Sequence, residues 1–140
     1  MSESNFPLEW VGAYEYDYNP VTGSIFQSVA FQLSFQFANK TDFVGQVRDA
    51  PDSPMPEPGT IRGKLVDNKI EFVKQMPVAT YLEQNGKFSK FDCAHPKIFY
   101  TGEYIPEDNL MVGAWHIEPV SSGAIEYFGA SGTWHADAVT

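Results

Sequence analysis

The chain is poor in cysteine, in positive charge and in long apolar runs. Its 140 residues include one cysteine, Cys93, so no intramolecular disulfide can form, and a thiolate metal framework would need several. In "DCAHP" that thiol lies two positions from His95, but neighbours on a strand or turn seldom aim at each other, so a Cys–His nucleophile is not expected. Lysine and arginine number 9 against 18 acidic residues, for a formal net charge of −9. Such a surface repels phosphate backbones and anionic headgroups, which argues against nucleic acid and membrane surfaces as partners. No apolar stretch approaches the roughly 18 residues of a spanning helix. The opening "MSESNFPLEW" has neither a basic nor an apolar leader region, so the expected location is the cytoplasm. The three histidines, His95, His116 and His135, lack the short spacing to another His or Cys that a metal site shows, and no metal or cofactor is expected.

Aromatic residues are plentiful: eleven Phe, seven Tyr and three Trp, 15% of the chain. With 43% hydrophobic residues there is apolar surface enough for one core, and residues 1–140 read as a single domain, with 1–8 as an N-terminal tail. Aromatic and β-branched side chains suit the pleated, half-buried surface of strands. Period-two alternation recurs along the chain and no helical period competes with it. It is clearest from Val29 to Phe37, where Val29, Phe31, Leu33, Phe35 and Phe37 alternate with Ala30, Gln32, Ser34 and Gln36.

Further alternating runs are Trp10–Tyr18, Phe43–Asp49, Thr60–Val66, Lys69 to about Glu83 with a bend at Pro77, Lys97–Tyr104, Leu110–Ile117 and Ala124 to about His135. Asp67-Asn68 and Asn85-Gly86, the latter leading into "KFSKF", are hairpin turns by composition, since these residues tolerate positive φ. The segment 50–59, with four prolines from Pro51 to Pro58, reads as a stiff loop, because no strand runs through it; with Met55 it also has the makings of an extended docking element. Short links between alternating strands imply an antiparallel meander, and eight such strands can close and remove both edges. Gly12, Gly45, Gly63, Gly102, Gly113 and Gly129 each interrupt an alternating run, which suggests sharp coiling or close backbone approach. The expected fold is therefore all-β, an eight-stranded antiparallel up-and-down β-barrel, with a two-sheet sandwich as the alternative.

The motifs W-x-G-x-Y at Trp10–Tyr14, F-x-G-x-V-x-D at Phe43–Asp49, G-T-I-x-G at Gly59–Gly63, I-x-F-x-K at Ile70–Lys74, Y-T-G-x-Y at Tyr100–Tyr104 and a late G-x-W resemble small calycin-like barrel domains of unassigned function. Calycins include lipocalins, fatty-acid-binding proteins and avidins, and the resemblance implies a barrel with a ligand cavity at one mouth. Lipocalins carry G-x-W on the first strand, whereas here it comes late, at Gly113-Ala114-Trp115 and Gly132-Thr133-Trp134, so no ligand identity carries over.

Parity places Lys74 with Ile70 and Phe72, and Asp49 with Phe43, Gly45 and Val47, so both aim at the core. A lone buried cation is costly, hence Lys74 should meet a carboxylate near a barrel end, Asp49 first and Glu103 second, as a structural ion pair that plugs the barrel or fixes its register, with a ligand-orienting charge or snorkelling to water as the alternatives. Trp10, Tyr14, Phe31, Phe35, Tyr100 and Trp115 are expected to line or fill the interior and, with Lys74, to contact any ligand. The expected function is non-catalytic binding of a small, mostly apolar molecule. One alternative is a filled barrel serving as a protein-interaction or homodimeric module, suggested by Phe99 and Tyr127 on the opposite face. The other is an isomerase or cyclase in the cavity; no catalytic residue stands out for it.

Overall fold

The computed structural model describes residues 6–17, 28–51, 57–77, 79–82, 88–91, 97–118, 120–122, 125–127 and 130–139. Twelve strands follow in chain order: β1 (Glu9–Tyr16), β2 (Ser28–Phe37), β3 (Asp42–Asp49), β4 (Gly59–Val66), β5 (Lys69–Gln75), β6 (Ala79–Leu82), β7 (Phe88–Phe91), β8 (Ile98–Ile105), β9 (Leu110–Ile117), β10 (Val120–Ser122), β11 (Ile125–Tyr127) and β12 (Ala130–Ala138). Eight of them form a closed barrel in the order β1-β12-β9-β8-β5-β4-β3-β2, and every pairing is antiparallel. Closure is made by β1 and β12, from Trp10 opposite Ala138 to Tyr16 opposite Gly132. The sandwich alternative falls, because joining the first strand to the last leaves no free edge in this sheet.

Two expected strands prove to be composite. The arm drawn from Lys69 to Glu83 ends at Gln75, and the chain beyond Pro77 forms a separate ribbon of β6 with β7. Proline has no N–H to give a ladder, so Pro77 ends the strand and does not merely bend it. The run from Ala124 to His135 divides likewise into β11, paired with β10, and β12, which extends to Ala138.

The two ends of the barrel differ in how the chain crosses them. At one end the strands are joined by three short links. Residues 38–41 are held by Asn39 Oδ1, which accepts from the backbone N–H of Thr41 and Asp42 at 2.9 and 2.8 Å. Asp67 and Asn68 adopt φ of 51° and 63°, the left-handed pair that a type I′ hairpin turn requires. Pro106–Asp108 make a 3₁₀ turn. Phe6 closes this end, with its ring 4.9–5.6 Å from those of Trp10, Phe35, Phe37 and Tyr104. The expected tail therefore includes a core residue. All the longer links, including the proline-rich 50–59 and both small ribbons, leave from the opposite end.

The inner face carries the core, with Leu33, Val47, Ile61, Ile70, Met111 and Trp134 each at most 2% exposed. Gly63 shows why alternating strands contain glycine here: a Cβ at this position would collide with the Glu71 carbonyl and with Phe72 across the ladder. Gly129, also expected at a close approach, lies outside the described residues.

Candidate functional site

β3 ends at Asp49 and β5 ends one residue after Lys74, so both side chains belong to the last inward layer at the long-loop end. Period two turns them inward with Val47 and Phe72. They reach each other across the intervening β4. Lys74 Nζ donates to Asp49 Oδ1 at 3.0 Å, with side chains 1% and 0% exposed. The second carboxylate oxygen, Oδ2, accepts from the Tyr14 hydroxyl at 2.7 Å. Glu103, the other carboxylate considered for Lys74, is exposed on the outer face, opposite Lys69 in the ladder.

Aromatic faces complete the cluster. Lys74 Nζ lies 4.4 Å from the centre of the Tyr14 ring, 5.7 Å from Phe31 and 5.8 Å from Tyr100, all within the roughly 6 Å range where ring quadrupoles attract a cation. Trp115 packs edge-on against Tyr14 at 5.8 Å and Tyr16 at 4.9 Å. Its indole N–H donates to the Glu15 carbonyl at 3.1 Å, a reach that Gly132 permits, since a Cβ there would stand 2.7 Å from the indole nitrogen. Among the described residues, Asp49 and Lys74 are the only charged side chains that are buried.

Burial sets the electrostatics. It lowers the Lys74 ammonium from its usual value, and the attraction and hydrogen bond of Asp49 only partly oppose that. Tyr14 and Tyr100 are pushed well above the usual phenol value, first by burial; the charges of Tyr16 and Asp49 add to it in both. Lys74 has three N–H donors and spends one on Asp49. Tyr100 is 2% exposed and stacks on Phe72 at 4.8 Å. Its hydroxyl makes no hydrogen bond with the described residues.

Of the residues expected to contact a ligand, the barrel brings together Tyr14, Phe31, Lys74, Tyr100 and Trp115. Trp10 and Phe35 sit at the other end beside Phe6, where the Trp10 indole donates to the Pro7 carbonyl at 2.6 Å. Three further rings of the interior were not named as candidate ligand contacts. Phe72 and Trp134 belong to the same parity as recognised core positions, and Tyr16 continues the Trp10–Tyr14 face; the alternation itself was the signal for all three.

The histidines described are on the outside. His116 stacks on Phe99 at 5.1 Å and meets Glu118 at 3.3 Å, while His135 is exposed on β12. No group of three metal-ligating side chains occurs among the described residues. Cys93, His95, Met55 and the Asn85-Gly86 turn lie outside them, as does the side chain of Tyr127. Among the described residues no helix is long and apolar enough to cross a membrane.

Fold and site thus define a closed antiparallel eight-stranded barrel with a buried, charge-neutral polar cluster at one end. Comparison with protein-family models, with curated proteins and with solved structures gave no match to this chain.

Proposed function

We propose that this barrel is a calycin-like, non-catalytic binder of a small, mostly apolar molecule, working in the cytoplasm. The observation that carries this reading is the Tyr14–Asp49–Lys74 cluster in the terminal layer at the long-loop end. A barrel needing only a core would fill that layer with hydrocarbon, as it does around Phe6. Removing apolar ligand surface from water contributes about 25 cal/mol per Å², and the polar cluster gives that otherwise directionless attraction an orientation. Native mass spectrometry of gently purified protein tests the reading. A retained small molecule adds a discrete mass; a bare chain, together with no saturable quenching of tryptophan fluorescence by apolar probes, overturns it.

A second reading, a homodimeric interaction module, has its own support. On the outer wall a groove of about 470 Å³ is lined by Gly63, Val73 and the Phe99–His116 stack, with both acidic and basic side chains among its walls. Apolar surface of that kind can mark an interface. Light scattering coupled to size exclusion decides it: a dimer that Phe99→Ser converts to monomer supports the module, and a monomer at every concentration removes it.

A further inference from the structure

We infer that the layer around Lys74 selects an uncharged hydrogen-bond acceptor, the carbonyl of an apolar ester, ketone or amide, over a carboxylate or an amine of the same shape. This rests on the barrel being a binder and adds the chemistry of the ligand's polar end.

The argument begins with charge. Lys74 and Asp49 cancel at 3.0 Å, and no other charged side chain is buried among the described residues. An incoming carboxylate that reached Nζ would also stand beside the Asp49 carboxylate, in surroundings that screen poorly, so repulsion would offset its attraction to the ammonium. An amine would meet the opposite conflict with Lys74. A neutral head suffers neither.

Hydrogen-bonding capacity gives the second half. Asp49 already has both oxygens engaged, by Lys74 and by the Tyr14 hydroxyl, so its remaining appetite for donors is reduced. The free capacity is on the donor side: two N–H groups of Lys74 and the buried hydroxyl of Tyr100, which no described residue satisfies. Buried donors without acceptors are costly, and a carbonyl oxygen with two lone pairs answers that need without adding charge. The rings of Tyr14, Phe31 and Trp115 set the rest of the ligand as apolar.

The test uses four probes of equal chain length below their solubility or micelle limits: methyl laurate, laurate, laurylamine and dodecane. Each is titrated into the full chain, with tryptophan fluorescence and calorimetry as readouts. Methyl laurate should bind at least about tenfold tighter than laurate or laurylamine, and about tenfold tighter than dodecane, the increment of one hydrogen bond to a charged donor. Asp49→Asn leaves the lysine charge unopposed and should reverse the order, with laurate overtaking the ester. Tyr100→Phe should cut the ester's advantage over dodecane several-fold; its hydroxyl bonds to no described residue, so this variant keeps the test alive if Asp49→Asn fails to fold. Laurate binding as tightly as the ester, an unchanged order in folded Asp49→Asn, or an undiminished ester advantage in Tyr100→Phe each overturns the inference and leaves the binder reading standing. Failure of all four probes removes both.

Discussion

The two ends of this barrel are built from similar strands and do opposite things with their last inward layer. At the short-turn end Phe6, Trp10, Phe35, Phe37 and Tyr104 meet mostly edge to face, the geometry that aromatic quadrupoles favour. At the long-loop end the equivalent layer buries an ammonium, a carboxylate and a phenol. Edge-to-face rings stabilise by simple burial and packing. A buried ion pair roughly breaks even, since desolvating two charges offsets most of their attraction. The difference separates an end built for closure from one that holds directional groups with little return in stability.

The comparison is broken most forcefully by removing one member of the pair. Asp49→Ala should destabilise the protein by about 3–5 kcal/mol because Lys74 stays buried without its counter-charge. The double variant Asp49→Leu/Lys74→Met should return to within about 1 kcal/mol of the parent or exceed it. Urea unfolding of the three proteins checks this; a double variant as unstable as the single one would mean that the pair contributes stability in its own right.

At the other end the losses should follow hydrocarbon alone. Phe6→Ala should cost about 3 kcal/mol and Phe6→Leu under about 1.5 kcal/mol, again by urea midpoint. A Phe6→Ala loss below about 1 kcal/mol would show that the ring does not seal the barrel.

Alkaline pH gives a smaller, graded contrast. Tyr14 and Tyr100 hold their protons in the folded state beyond the ordinary value of about 10. The unfolded chain therefore releases protons first, and the stability these groups supply is full below about pH 10 and declines as pH rises towards their folded values. Lys74, lowered on folding, works in the other direction: stability rises with pH between its folded value and the ordinary lysine value, and is unaffected above it. Above the ordinary lysine value of about 10.4 only the phenols still act, so the urea midpoint should fall there. Tyr100→Phe should make that fall shallower. Absorbance of tyrosinate should show the two phenols titrating after the exposed ones.

Much of the fold was legible because its signals are local. The alternation of Val29–Phe37 became β2, with Val29, Phe31, Leu33 and Phe35 buried, since successive side chains on any strand take opposite faces. Asp67-Asn68 announced its turn because few residues accept positive φ at both positions. Phe6 gave no such sign: a single aromatic ahead of the first alternating run has no period to mark it as core. Nor did alternation show that the chain past Pro77 would leave the barrel for a ribbon of its own.

For the candidate site the division is sharper. Parity alone turned Asp49, Lys74, Tyr14 and Trp10 towards the interior, because facing is a property of each strand's own backbone. Height along the barrel axis is not. It depends on the register of eight ladders around a closed ring, and that register lifted Tyr14 to Asp49 and Lys74 while leaving Trp10 beside Phe6. Composition and alternation thus determined an antiparallel β protein with these residues inside. The ladders from β1 to β5 set their heights, and only the curling of that sheet into a barrel closed by β1 and β12 brought Tyr14, Asp49 and Lys74 into contact.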